Sequence, residues 1–244
     1  MEKLVRGHGS ASIASSQYDV GLRTYLNGVF AYMGGALVLS ALTAFAVANI
    51  APLTALIFGT PLKWVAIFAP LAVVLFASFR FEQLSLATLH SLFWGFAALM
   101  GVSLASVLLV FTGTSIVQAF LSASIVFLAM ALWGYTTKRD LSGWGSFLMM
   151  GLIGVIGAAI LNLFLASGAL SMAISVVGVI VFTGLTAWDM QRLRNEYLTH
   201  RSVAGTSAGE QLGKLQVMGA LSLYLNLINL FQMILSLFGQ RQEG

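Results

Sequence analysis

The sequence predicts an all-α membrane protein built as a bundle of seven transmembrane helices. Three observations predict it. Apolar side chains make up 59% of the 244 residues and charged ones only 8%, about a third of the charge that a water-facing surface carries. The mean hydropathy is +0.92. The charges also gather at the ends of apolar runs that are long enough to cross a hydrocarbon core about 30 Å thick at 1.5 Å rise per residue. A soluble globular domain is excluded, and so is a disordered chain, which needs high charge and low hydrophobicity. The absence of cysteine removes disulfides, thiolate nucleophiles and cysteine–zinc sites.

The first two dozen residues begin with Lys3 and Arg6, as a signal peptide would. Gly9 to Gln17 is small and polar, however, with no apolar core of its own. Residues 1–23 are therefore expected to be a cytoplasmic tail, 24–238 the transmembrane domain and 239–244 a C-terminal tail. Thr24 to Asn49 supplies the first span, at about 24–48. The second, about 62–79, contains Pro70, which removes a backbone hydrogen bond and favours a kink. From Gln83 to Thr137 there is no acidic or basic residue, which gives two spans, about 83–111 and 115–136, separated by the turn Thr112-Gly113-Thr114. Leu141 to Trp188 divides in the same way at Ser167-Gly168 into about 144–166 and 169–191. The last span is about 215–238. The polar stretch 195–214 before it is expected to be a flexible loop.

Basic residues set the orientation. With the N-terminus in the cytoplasm, Lys3, Arg6, Arg23, Arg80, Lys138, Arg139, Arg192, Arg194, Arg201 and Lys214 lie inside, and only Lys63 and Arg241 outside. The excess of 12 Lys and Arg over 8 Asp and Glu thus sets topology and meets the lipid bilayer. It does not imply nucleic acid. Glycines at Gly34-Gly35 and at Gly151, Gly154 and Gly157 are expected to let helix backbones approach closely.

No enzyme signature is present: there is no His-Glu-x-x-His, Gly-x-Ser-x-Gly, phosphate-binding loop or dinucleotide fingerprint. An intramembrane aspartyl protease would need two aspartates at depth, and only Asp189 is a candidate. The informative residues are therefore polar groups in or beside apolar runs, where charge is costly. Asp189 reads either as an interfacial carboxylate paired one turn on with Arg192 or as an inward proton- or cation-binding group. Arg80, closing the second span, reads as a topological anchor or a gate. His90, two turns into the third span, reads as an interhelical hydrogen-bonding residue or part of a polar path. In the seventh span Ser222, Asn226 and Asn229 follow i, i+4, i+7 spacing and share one face. That stripe must meet protein or water, either as interhelical glue or as a pathway.

Three segments together resemble one family. They are Gly134-Tyr135-Thr136-Thr137-Lys138-Arg139-Asp140-Leu141-Ser142-Gly143, then Gly184-Leu185-Thr186-Ala187-Trp188-Asp189-Met190-Gln191-Arg192-Leu193, then Gly219 to Phe231 with Tyr224-Leu225-Asn226-Leu227-Ile228-Asn229 inside it. In this order they resemble the Bax inhibitor-1 family, in particular its bacterial branch, from about Tyr25 to Phe238. The resemblance implies a bundle with the seventh helix at its centre, wrapped by the other six, in a bacterial inner membrane. It also implies a passive, pH-sensitive calcium leak in which aspartates of the sixth and seventh helices share a proton and an arginine ending the second helix interacts with them. Asp189 and Arg80 match two of these positions. The third holds Asn226 where the family pattern has aspartate.

Two readings follow. In the first the protein leaks calcium or another cation, with Asp189, Asn226 and Arg80 as the gating set and Asp189 as a weak calcium ligand. Calcium is then the transported ion, and no cofactor is assigned. In the second the protein does not conduct, and regulates membrane-protein quality control or stress responses through contacts with membrane proteases or other membrane proteins. Asp189 and Asn226 also pose a geometric problem, since hydropathy puts the first near a helix end and the second at mid-membrane. For them to meet, the sixth helix must run past Arg192 or the seventh must start before Leu215.

Overall fold

The computed structural model describes the backbone of residues 2–201 and 207–242, with side chains from 20–200 and 209–242. Eight helices account for it: α1 Glu2–Asn49, α2 Ala51–Phe58, α3 Leu62–Arg80, α4 Leu86–Val110, α5 Gly113–Thr136, α6 Ser142–Leu165, α7 Gly168–Arg201 and α8 Ser207–Phe238. Seven are long and apolar enough to cross a membrane, all but the short α2. The turns fall where their residues place them. Ser85 and Thr112 accept hydrogen bonds from the amides of Thr88 and Ser115 and so cap α4 and α5. The α6–α7 turn at Ser167-Gly168 is reached through Ala166, whose φ of 47° is left-handed.

One expectation, the loop at 195–214, needs correction, and three features add detail to the rest. The segment preceding the first span is helical from Glu2. The stretch 51–58, apolar but too short to cross, forms α2, with a proline in its first turn, where its missing N–H costs nothing. Helix α3 runs through Pro70 without a break. Most of the stretch expected to be a loop at 195–214 is also helix, because α7 continues to Arg201 and α8 starts at Ser207. One-turn pairs Arg192–Glu196 and Lys214–Glu210 add support to helix beyond the apolar zone.

Helix α8 is the centre. More than half of its span is buried, against at most a third of any other. It packs mainly on α1, α4, α5 and α7, while α3 leans on α4 and α6 on α7. Its anchor away from the polar site is Tyr224, which is 0% exposed. The Tyr224 hydroxyl meets Ser40 Oγ at 2.7 Å, and Ser40 donates to the Ala97 carbonyl at 2.6 Å, tying α8, α1 and α4 together. At the far end the chain after α8 is held rather than loose. Gln240 and Gln242 exchange backbone bonds with the α4–α5 turn at Thr112 and Val110.

Close backbone approach occurs at glycines other than those expected. A Cβ at Gly134 would run into the Ala187 backbone, and one at Gly101 into the Ser40 carbonyl. Gly34, Gly154 and Gly157 face open space instead, and Gly35 and Gly151 meet only side chains.

Candidate functional site

Asp189 is 5% exposed, on the face of α7 that packs against α8. Both of its oxygens are used. Oδ2 accepts from Asn226 Nδ2 at 2.7 Å, and Oδ1 pairs with the Arg192 guanidinium at 2.7 Å, one turn along the same helix. The two readings of Asp189 are therefore both present in the geometry: it pairs with Arg192 and it points inward to the central helix. The boundary problem resolves through helix length. A 34-residue α7 is about 51 Å long, so Asp189 sits well inside it.

Arg192 is the hub. Its guanidinium also donates to Ser222 Oγ at 3.2 Å, lies 3.6 Å from Glu196 Oε1 and rests 4.9 Å from the Trp188 ring centroid. Its side chain is 34% exposed and faces a cavity of about 330 Å³ shared with Ser142, Gln191, Asn195 and Glu196. Ser222 and Asn226 of the predicted stripe thus both reach α7. Asn229, one turn further, is half-buried and outside the cluster.

The other candidates lie elsewhere. Arg80 is exposed at the end of α3 and donates to Gln83 Oε1 at 2.8 Å. It is not the countercharge of Asp189: α3 sits on the periphery against α4, and Arg192 is already one turn away. His90 is half-buried, with Nε2 3.5 Å from the Tyr32 hydroxyl and the two rings edge to face. It joins α4 to α1 rather than lining the Asp189 cluster. Among the described residues no three His, Asp or Glu side chains converge as a metal site would require. Calcium at Asp189 would have one carboxylate, already engaged twice, whereas the ion favours several hard oxygens with compensating charge.

Gln191 was missed in the sequence. Buried beside Asp189, it accepts from the Leu141 amide and donates to the Arg139 carbonyl, both at 2.8 Å. Arg194 donates to the Tyr135 carbonyl at 3.2 Å. These bonds dock the α5–α6 connection on α7, so the first two of the three segments quoted above meet in space. The available signal was an amide two residues from a membrane aspartate.

Comparison with known proteins identifies the family. The family model described as inhibitor of apoptosis-promoting Bax1 matches residues 22–243. An uncharacterized protein of Rickettsia prowazekii is 42% identical over 226 residues, covering 93% of each chain. The inner membrane protein YbhL of Escherichia coli K12 is 42% identical over 229 residues, covering 93% of this chain and 95% of its own. A Caulobacter vibrioides protein is 41% identical over 242 residues, covering 96% and 95%. With the family model spanning nearly the whole chain and these identities running end to end, the protein is an integral membrane protein of the Bax inhibitor-1 family.

Proposed function

We propose that the protein is a proton-controlled passive leak for calcium or another cation, closed in this structure by the Arg192–Asp189 pair. The observation that carries the reading is the buried carboxylate of Asp189, held at once by Asn226 of the central helix and Arg192 of its own. Protonating Asp189 removes the charge that holds the guanidinium. Arg192, which opens on the adjoining cavity and has Glu196 as a second anion, is then free to swing out, which exposes the Ser222 and Asn226 oxygens of α8. The charged groups facing Asp189 are Arg192 and Glu196, both on α7. The apposed turn of α8 offers only Ser222 and Asn226.

Asn226 makes this a single-proton device. Two carboxylates at this distance would titrate as a coupled pair, and an amide cannot. Neutral oxygens also bind calcium weakly, so conduction is small. The protein sits in an inner membrane, like the relative named as inner membrane protein YbhL, with the N-terminus cytoplasmic on the strength of the basic residues.

The experiment is calcium flux into proteoliposomes at about pH 6 and about pH 8 for wild type, Asp189→Asn and Asn226→Asp. The expected results are pH-dependent flux in the wild type, a flattened profile in Asp189→Asn and a steeper one in Asn226→Asp. Flux at the level of empty liposomes in all three would overturn the reading. One observation favours the alternative in that case: both oxygens of Asp189 are already occupied, by Asn226 and Arg192. The protein would then be a non-conducting regulator of other membrane proteins, and the stretch 195–214 the place to seek contacts.

A further inference from the structure

Helices α1 and α5 flank each other without packing together, since α1 leans on α4 and α8 and α5 on α7 and α8. The seam between them holds two recesses. The first, of about 340 Å³, lies at the end carrying Arg23, Asn27 and Tyr135 and continues over Phe30, Leu128 and Leu132. The second, of about 420 Å³ and almost wholly apolar, lies further along between Leu37, Ala41 and Phe45 of α1 and Val117 and Leu121 of α5. Residues 23, 27, 30, 34, 37, 41 and 45 recur at helical spacing on one face of α1, and 135, 132, 128, 121 and 117 do so on α5. The two recesses therefore lie along one seam. Between them on that face is Gly34, around whose missing side chain there is nothing within 4 Å.

The chemistry along the seam is graded. Leu128, Leu132, Leu121, Val117 and Phe45 are all exposed, as side chains facing hydrocarbon are. Arg23 is exposed at one end of the same line and pairs with no carboxylate among the described residues. Lys138 and Arg139 follow Tyr135 closely in the chain. A guanidinium without a carboxylate partner at the edge of an apolar span reaches for the interface, where the available anion is a lipid phosphate.

We propose that this seam binds one anionic phospholipid, with its phosphate at Arg23 beside Asn27 and Tyr135 and one acyl chain laid along α1 and α5 past Gly34 into the apolar recess. The first recess also touches Met190, next in the chain to Asp189, but shares no side chain with the Asp189 cluster, and binding there does not depend on conduction. Charge complementarity at Arg23 selects the headgroup, and the missing side chain at Gly34 keeps the groove open for the chain.

The test is native mass spectrometry of the purified full chain loaded with phosphatidylglycerol or phosphatidylcholine. Wild type is expected to retain phosphatidylglycerol about five-fold over phosphatidylcholine, the preference that one basic residue near an anionic surface confers. Arg23→Gln is expected to abolish the preference. Gly34→Leu, whose Cβ would meet nothing within 4 Å, is expected to lower retention of both lipids. Lys63→Gln, at the opposite end of the bundle, is expected to change neither. Equal retention of the two lipids by wild type would overturn the proposal, as would an undiminished preference in Arg23→Gln or its loss in Lys63→Gln. Displacement of phosphatidylglycerol by excess inorganic phosphate would also overturn it, because the ligand would then be a free anion.

Discussion

Removing Arg192 is more damaging than removing Asp189, and the difference follows from which charge is left behind. In Arg192→Gln the Asp189 carboxylate stays 5% exposed with only the Asn226 amide on one oxygen. Breaking a fully buried pair in this direction costs about 3–5 kcal/mol. Arg192 is one-third exposed, so water already shares its solvation, and a loss of about 2 kcal/mol is the better figure. In Asp189→Asn the orphan is the guanidinium, which opens on a cavity and retains Ser222 and Glu196. That loss is about 1 kcal/mol or less, near the net worth of one hydrogen bond. For a chain of this length 1 kcal/mol shifts the melting midpoint by about 2–4 °C. Thermal unfolding in detergent at neutral pH should therefore drop by about 4–8 °C in Arg192→Gln and by about 4 °C or less in Asp189→Asn. The double variant, which leaves no uncompensated charge at position 189, should recover most of the larger loss. Equal losses in the two single variants, with an additive double, would refute the reasoning, because the carboxylate would then not depend on its arginine.

Three further outcomes are expected. Gly134→Leu should yield little folded protein, since its side chain would displace the Ala187 backbone, whereas Gly154→Leu, which faces open space, should behave as wild type in size-exclusion recovery. Gln191→Leu leaves the Leu141 amide and Arg139 carbonyl without their partner at about 1–3 kcal/mol if both stay dry, and should raise hydrogen exchange across 137–142. Asp140 takes hydrogen bonds from the Ser142 hydroxyl and amide, and these hold its carboxyl below the ordinary value of 3.8. Its tether on the start of α6 is thus fully present above that pH and is lost as the pH falls through the lower folded value, so exchange at the Ser142 amide should rise only in strong acid. In Asp140→Asn the bonds from Ser142 no longer end on a charge, and that acid dependence should disappear.

The spans were legible because the bilayer criterion is a property of composition along the chain. Charge-free runs between Gln83 and Thr137, and between Leu141 and Trp188, divide at turn residues whose capping bonds are found in the structure. The ends of α7 and α8 were not legible, and for a physical reason. Hydropathy marks where apolar surface stops, while helical backbone can run on past it, here about ten residues later as far as Arg201 and from eight residues earlier at Ser207. The glycines misled in a related way. Spacing shows that a glycine lies on a helix but not which neighbour faces it, so the contacts that need the missing side chain, at Gly101 and Gly134, were hidden. Ser40 and Tyr224, joined across 184 residues, carry no local pattern at all.

The Asp189 cluster divides along the same line. The i, i+3 pair with Arg192 and the i, i+4 pair of Ser222 and Asn226 are local and could be read off the chain. Arg80 was assigned from resemblance, and the packing of α3 takes it elsewhere. What the sequence did expose was the chemistry of one substitution. With asparagine at position 226 the central helix brings a donor to Asp189 instead of a second charge, and a donor stabilises the ionised carboxylate where a carboxylate would oppose it. The ionised form can then keep its arginine, as it does here. A site with two aspartates cannot hold both ionised at such a distance without a shared proton or a second cation. Asn226→Asp is therefore expected to weaken the Arg192–Asp189 pair as well as to add a titrating group, so its pH profile and its melting midpoint should change together.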